Sequence, residues 1–330
     1  MISTKNNFDI LRLVLAILVY FAHWNTLSVQ NIEIFIFKLS GFAVDMFFVV
    51  SGFLIFWSYE NDQNNKNFYI KRFFRIFPLY AFLIVLQTLF FIGFSDEKVI
   101  EIVKYFVVNM FFLNFLAPSV GYTFSGLEVN AINGSLWTLK NEVAFYVIVP
   151  LIFMLYKRFG IILLLIMYIL SVIYMFIVNF IGMEKLLVQF PAQLRLFLVG
   201  IICYIIFKKF NKNNIYLAVL ISFLLVVLFK DIIYFKYMIY PMCIGIFVMF
   251  CAYFIKYIKV DFDFSYSFYI LHFPVIQLAL YFGINPTNPI ISFLTLFIVI
   301  LTLSYLSEKY IEKKFIKIGK DIIKRNTSAR

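Results

Sequence analysis

Long apolar stretches recur from one end of the chain to the other, and they constrain its fold more than any other sequence feature. Runs of roughly 16–22 residues alternate with short polar loops, and a helical run of that length crosses the ~30 Å hydrocarbon core of a bilayer. With 64% of its 330 residues hydrophobic, the chain has more apolar side chains than a soluble domain needs. The pattern predicts an all-α polytopic integral membrane protein.

Other classes of protein fit the sequence less well. A membrane β-barrel would show strands of alternating polarity, and the apolar runs do not alternate. The net charge of +12 does not predict a nucleic-acid partner, because the cations lie in short loops, where they set orientation in the membrane. Cys203, Cys243 and Cys251 lie inside apolar runs without paired spacing, so they predict packing residues and no metal site.

Ten runs are predicted to span the membrane, with both termini in the cytoplasm. An additional run at 102–117 is short and contains Lys104, Asn109 and Asn114. If this run does not span, most of the 29 Lys and Arg residues face the cytoplasm, as the positive-inside rule requires. We therefore expect 102–117 to be re-entrant or interfacial. The predicted spans lie at 9–27, 42–58, 74–94, 139–156, 160–179, 192–207, 214–230, 236–256, 264–283 and 290–308.

The sequence predicts a membrane domain at 1–315 followed by a basic cytoplasmic tail at 316–330. No loop is long enough to hold a soluble domain. The cations of the tail suit the anionic headgroups of a membrane leaflet, and a simple solvated end explains them equally well.

Ionisable residues inside the spans are functional candidates, because a charge in hydrocarbon is costly unless it is paired or hydrated. In the first span His23 follows Arg12 by eleven residues, so both side chains share one helix face about 16 Å apart. Asp9 lies on the same stripe, three residues before Arg12. An anchored helix end and a structural histidine are the alternative explanation.

The predicted topology gives three further residues a depth similar to that of His23. Asp45, Glu142 and Arg195 each lie near the outer end of a different span. They are either interfacial caps and ion pairs, or the walls of a water-filled pocket. In such a pocket a carboxylate would orient the imidazole of His23 as a general base.

His272 is the other histidine, in the middle of the span that contains SFYILHFP. Tyr269 lies on the same face one turn earlier, and Pro274 leaves a nearby backbone carbonyl without its helical partner. A hydrogen-bonded core histidine and a site residue both fit this setting.

Two motifs have a structural explanation beside a functional one. Arg72 and Arg75, in YIKRFFRIF, either anchor the third span or bind phosphate together with Arg12. Ser51 and Gly52 interrupt the second span, where small residues permit close packing or a kink, or leave room for a ligand channel.

Together these segments resemble the membrane acyltransferase-3 family from residue 8 to about 315. The resemblance rests on FDILRLVLAILVYFAH, VDMFFVVSGFLI, YIKRFFRIFPLY, GSLWTLKNEVAFYVIVPL, RLFLVG and SFYILHFPV, in that order. It implies that Arg12 and a catalytic His23 form the arginine–histidine motif. By the same resemblance, Arg72 and Arg75 serve an acyl-CoA donor, and Glu142 is the acid of the tryptophan motif.

The chain departs from the family pattern at Lys140, Asn141 and Lys314, and none of these changes removes a candidate catalytic group. Some family members have an appended extracytoplasmic hydrolase-like domain that completes the transfer. Without one, this chain is expected to act alone or to hand the acyl group to an extracytoplasmic partner transferase.

The expected function is that of an O-acyltransferase in the bacterial inner (cytoplasmic) membrane. Acyl-CoA, in the simplest case acetyl-CoA, is a donor substrate rather than a bound cofactor, and the acceptor is an envelope glycan or a lipid-linked sugar. The pantetheine arm of acyl-CoA would pass Ser51 and Gly52. The acceptor would enter from the outer side, near Glu142 and Arg195. Tyr146, one turn from Glu142, is the candidate oxyanion donor. A flippase for an anionic lipid-linked saccharide, or a non-catalytic membrane sensor, would use the same polar residues.

Overall fold

The computed structural model describes residues 5–30, 32–208, 215–284 and 288–328. Within those ranges the chain is all-α, as the hydropathy pattern predicts, and it contains no strand. The α-helices are α1 Phe8–Leu27, α2 Ser40–Asp62, α3 Asn65–Phe94, α4 Val99–Met110, α5 Leu136–Phe159, α6 Ile161–Phe180, α7 Phe190–Phe207, α8 Ile215–Phe229, α9 Ile233–Met238, α10 Tyr240–Tyr253, α11 Ser265–Tyr281, α12 Pro289–Ser307 and α13 Lys313–Ser328. A π-helical segment, Glu308–Glu312, joins α12 to α13.

Local sequence signals explain where helices begin and end. Pro289 opens α12, where its missing amide hydrogen has no helical partner to lose, and Asn288 caps the helix by accepting from two backbone amides. Gly160 separates α5 from α6 with φ of 67°, a conformation that residues with a Cβ rarely adopt. The apolar run at 236–256 is divided into α9 and α10, because Pro241 cannot continue a helix from the preceding turn.

Among the described residues, seven helices are long and apolar enough to cross a membrane by length and composition. The fold is therefore that of a multi-pass membrane protein. Ten spans would also require α8, α10 and α11, which have 15, 14 and 17 residues, so the number of spans and the cytoplasmic termini stay predictions. Helix α4 has 12 residues, or about 18 Å, which is too short to cross the hydrocarbon core.

The described residues form two compact units, and α1, α2, α3 and α5 contribute residues to both. The tail predicted at 316–330 overlaps α13, and its boundary with the membrane domain stays a prediction. The first unit holds the described residues of Met1–Leu15, Phe42–Phe68 and Asn141–Asp261, and the second holds those of Ala16–Gly41, Tyr69–Lys140 and Phe262–Arg330.

In the first unit, α2 and α7 pack with their backbones in close contact. A Cβ on Gly52 would overlap the carbonyl group of Phe197, and a Cβ on Gly200 would overlap the carbonyl oxygen of Val49. Small residues on both helices permit this approach. The structure therefore supports close packing at Gly52, and the space that a ligand channel would need beside it is filled by α7.

In the second unit, the polar residues of the 102–117 segment bind neighbouring groups. The side-chain amide of Asn109 donates to the carbonyl oxygen of Ala117 at 2.9 Å, and its backbone carbonyl accepts from the hydroxyl of Tyr80 at 2.6 Å. Tyr105 donates to the side chain of Gln87 at 2.7 Å. These buried bonds satisfy polar groups within an apolar segment, so they stabilise the turn that follows α4.

Candidate active site

The second unit brings the two histidines of the chain into direct contact. Nδ1 of His23, on α1, lies 2.7 Å from Nε2 of His272, on α11. The imidazole planes are 15° apart with centroids separated by 5.0 Å, and the ring of Phe273 packs edge-on against His23. His272 is fully buried, whereas His23 is only half-buried. One imidazole is therefore enclosed, and the other remains in part accessible.

The hydrogen bonds around this histidine pair determine which nitrogen carries each proton. Nδ1 of His272 lies 3.3 Å from the carbonyl oxygen of Phe268, which can only accept, so Nδ1 carries the hydrogen. In neutral His272, Nε2 is then an acceptor, and it accepts from Nδ1 of His23. Nε2 of neutral His23 is left with a lone pair. The pair therefore fixes the tautomer in which His23 can act as a base.

A loop before α5 holds α11 in place around His272. Pro274 has no amide hydrogen, so the carbonyl of Ile270, four residues earlier, loses its helical partner. The side chain of Asn133 donates to that carbonyl at 2.9 Å. A Cβ on the next loop residue, Gly134, would overlap the ring of Phe273, the residue after His272. The loop thus satisfies the break that Pro274 makes and packs closely against the histidine-bearing turn.

Tyr269, one helical turn before His272, provides a further contact between α11 and the start of α5. Its hydroxyl lies 2.8 Å from the hydroxyl of Thr138, and its ring centroid is 5.7 Å from that of His272. Tyr269 therefore packs beside His272, and a supporting role in the site stays a prediction. The sequence analysis did not predict Asn133 or Thr138. Pro274 offered a signal for such a residue, because a proline inside a helix frees a backbone carbonyl that some donor must satisfy.

The first unit surrounds Glu142 with two hydroxyl groups. Oε1 of Glu142 accepts from the hydroxyl of Ser51 at 3.1 Å and from the hydroxyl of Tyr146 at 2.5 Å. Hydrogen bonds to a carboxylate are stronger than neutral ones and restrict its orientation. The hydroxyl hydrogen of Tyr146 is directed at this carboxylate, so the structure gives Tyr146 a supporting place rather than that of an oxyanion donor.

Asp45 and Arg195 belong to a second polar group of the first unit. Tyr240 donates a hydrogen bond to Asp45, and the positive charge of Arg195 stabilises the same carboxylate. Arg195 is 5% exposed, and its Nη1 donates to the carbonyl oxygen of Ala192 at 2.7 Å. The attraction between these opposite charges fits both an interfacial charge pair and the wall of a polar pocket. A role of either residue on the acceptor side stays a prediction.

Acidic residues of the second unit hold Arg75. Its guanidinium forms an ion pair with Asp263, which precedes α11, and lies 3.9 Å from the buried carboxylate of Glu312. Arg72 on the same helix and Arg12 on α1 are half-buried. Donor phosphates that reach Arg75 would have to compete with Asp263, and donor binding by the three arginines stays a prediction.

The structure thus distributes the predicted site residues between its two units. The tautomer of His23 is set by His272, a role that the sequence assigned to Glu142 or Asp45. Within the part of the chain that the structure describes, no group of three or more His, Cys, Asp or Glu side chains is arranged to hold a metal ion. The second unit contains His23, Arg72, Arg75, Tyr269 and His272, and the first contains Arg12, Asp45, Ser51, Gly52, Glu142, Tyr146 and Arg195.

Comparison with known proteins agrees with the resemblance that the sequence motifs indicate. The sequence model of the acyltransferase-3 family, described as an acyltransferase domain, matches residues 5–309. The chain belongs to this family, and it is therefore a membrane acyltransferase.

Individual relatives support this assignment. An O-acetyl transferase of Shigella phage Sf6 is 32% identical over 332 residues, which cover 94% of this chain and 96% of the phage protein. Nodulation protein 10 of Rhizobium leguminosarum bv. viciae is 31% identical over 169 residues, 47% of this chain and 46% of that protein. The chain thus spans about half the length of the nodulation protein. The peptidoglycan O-acetyltransferase OatA of Listeria monocytogenes serovar 1/2a is 27% identical over 125 residues, 35% of this chain and 20% of OatA. No solved structure matches the chain.

Proposed function

We propose that this chain moves an acetyl or other short acyl group from cytoplasmic acyl-CoA to a hydroxyl of an envelope sugar outside the bacterial cytoplasmic membrane. The family supports acyl transfer. Two relatives, an O-acetyl transferase and a peptidoglycan O-acetyltransferase, support an acetyl group and a glycan acceptor. The observation that carries the mechanism is the hydrogen bond between His23 and His272, because it leaves Nε2 of His23 as a base.

In the direct route, Nε2 of His23 accepts the proton of the acceptor hydroxyl while the hydroxyl oxygen attacks the thioester carbonyl. The new carbon–oxygen bond forms, the carbon–sulfur bond breaks, and the CoA thiolate takes the proton from Nε2 as it leaves. In the alternative route, Nε2 attacks the thioester carbonyl, a carbon–nitrogen bond forms, the carbon–sulfur bond breaks, and CoA leaves as the thiolate. The acceptor hydroxyl then attacks the acyl-imidazole, the carbon–oxygen bond forms as the carbon–nitrogen bond breaks, and the hydroxyl proton passes to the CoA thiolate. Both routes need Nδ1 of His23 to carry its hydrogen, which is the tautomer that His272 favours.

Glu142 is proposed as a second catalytic group, because it occupies the acid position of the tryptophan motif and two hydroxyls fix its orientation. Ser51 thereby acts through Glu142 rather than on the donor. Asp45 and Arg195, whose opposite charges attract each other, are proposed to serve the acceptor. This assignment predicts that substitutions of Arg195 raise the KM for the acceptor more than the KM for the acyl-CoA donor.

The donor phosphates are proposed to bind Arg72 and Arg75, and Arg12 of the first unit is kept as a separate donor-binding candidate. Guanidinium groups match phosphate oxygens in a paired geometry. The ion pair of Arg75 with Asp263 supports a guanidinium already held in position, and a phosphate would replace the carboxylate. An extracytoplasmic partner transferase would take over the acyl group if the final acceptor lies beyond reach of the membrane.

The proposal is tested by replacing His23 with alanine in the full chain reconstituted in vesicles with acetyl-CoA inside and envelope glycan outside. We expect release of free CoA thiol and acetyl incorporation into glycan to fall by at least about 100-fold, the usual contribution of a general base. Tyr20→Phe is the matched control. Tyr20 lies one turn before His23 on α1, and the change removes a hydroxyl that donates to the carbonyl oxygen of Phe293.

Two outcomes would contradict the proposal. His23→Ala could retain the full rate of acetyl transfer, which would remove its catalytic role. Alternatively, wild-type vesicles could move an unmodified saccharide across the bilayer without consuming acetyl-CoA, which is the behaviour of a flippase.

A further inference from the structure

The helix α13, Lys313–Ser328, separates its charged and apolar side chains. At 100° per residue, Lys313, Lys317, Lys320 and Lys324 form one stripe. The residues Phe315, Ile318 and Ile322 fall on the opposite side of the helix. Asp321 is the acid of this segment. Six cations of α13 are exposed: Lys313, Lys314, Lys317, Lys320, Lys324 and Arg325.

A glycine contact sets the rotation of α13 against its own unit. Gly319 is buried against Phe74 of α3, and a Cβ at Gly319 would lie 3.0 Å from the Phe74 side chain. A methyl group at this position would require Phe74 or α13 to shift by a few tenths of an ångström. The side of α13 that carries Gly319 faces the protein, and Phe315 and Ile318 keep 36% and 44% of their surface exposed.

We propose that α13 binds the headgroup layer of an anionic phospholipid leaflet. An apolar side opposite a row of lysines is the composition of helices that lie in the membrane interface, where each cation near the surface adds to the attraction. Phe315 and Ile318 reach the acyl boundary, while the long side chains of Lys317, Lys320 and Lys324 extend back to the phosphates. Lipid is the occupant to which we commit, because a soluble polyanion would engage the lysines and leave the apolar side in water. This inference does not depend on the transfer reaction.

The test uses the full chain in nanodiscs made either of phosphatidylcholine alone or of phosphatidylcholine with phosphatidylglycerol. Hydrogen exchange of the α13 amides is measured by mass spectrometry at low salt. We expect exchange to be about tenfold slower in the anionic discs, which corresponds to one or two cations near an anionic surface. High salt should remove the difference, because it screens exposed charges.

Two triple variants with equal loss of charge separate a local effect from a global one. The variant Lys317→Gln, Lys320→Gln, Lys324→Gln should lose the dependence on phosphatidylglycerol. The control variant Lys98→Gln, Lys185→Gln, Lys230→Gln changes three exposed cations outside α13 and should keep it.

The proposal is overturned if wild-type α13 exchanges equally in both kinds of disc, or if both triple variants behave alike. A third arm adds coenzyme A to the phosphatidylcholine discs. Protection by coenzyme A without protection by phosphatidylglycerol would assign the stripe to a soluble polyanion and would also overturn the proposal. Phe315→Ser with Ile318→Ser should weaken the protection by anionic lipid, and unchanged protection would exclude insertion of the apolar side.

Discussion

His23 and His272 share a hydrogen bond of 2.7 Å although 249 residues separate them in the chain. The partner of His272 on its other side is a backbone carbonyl that can only accept. The order of protons along this line is therefore determined, and it ends at the free Nε2 of His23. A neutral imidazole here takes the orienting position that a carboxylate holds in many catalytic triads.

We expect His272→Leu to lower kcat by about 10- to 1000-fold, because His23 loses the acceptor that fixes its tautomer. The KM for acyl-CoA should change little, since His272 is a positioning residue. His272→Gln keeps an acceptor oxygen in place and should recover part of the activity. Equal loss in both variants, together with a lower thermal midpoint in detergent, would reduce His272 to a packing role.

The hydroxyl groups on Glu142 are expected to act through that residue. Tyr146→Phe removes a charge-assisted hydrogen bond worth about 1.5–3 kcal/mol, so kcat should fall by about tenfold or more. In a Glu142→Gln background the same change should have a much smaller effect, because coupled residues are not additive. Tyr168→Phe is the control, since its hydroxyl binds the carbonyl oxygen of Met238 in the same unit. Additive losses in the double variant would contradict the coupling.

Arg75 and Asp263 allow donor binding to be separated from structural support. Arg75→Gln should raise the KM for acyl-CoA by about tenfold or more, because one charge-assisted phosphate contact is lost. Asp263→Asn removes the competing carboxylate, so the KM should stay equal or fall. If the two variants instead lose the same thermal stability and leave the KM unchanged, the ion pair only holds α3 to the segment before α11.

We expect that the contact between α2 and α7 cannot accommodate a Cβ atom at Gly52 or Gly200. Gly52→Ala and Gly200→Ala should each destabilise the fold by about 1–3 kcal/mol, because the backbones would have to move apart. Gly41→Ala is the control on the same helix, since no atom lies within 4 Å of the added methyl group. Thermal unfolding in detergent measures the differences. A stable and active Gly52→Ala variant would show that the contact yields and would reopen the question of space beside α2.

Helix class and helix position follow from the sequence alone because they depend on local properties. The predicted runs at 9–27, 160–179 and 290–308 correspond to α1, α6 and α12 within two residues at each end. Span length, proline and glycine act over a few residues, so their signals are readable without a fold. The apolar run at 236–256 is an exception, since its proline divides it into two helices.

The site shows the same division between local and long-range information. The sequence by itself determined a helical membrane protein, its family resemblance, and a short set of ionisable residues at membrane depth that included both histidines. Only the tertiary structure decided that His23 binds His272, that Arg75 binds Asp263, and that Gly52 lies against α7. Each of these pairs joins distant parts of the chain, and such contacts depend on how helices pack side by side, which hydropathy and spacing along one helix do not specify.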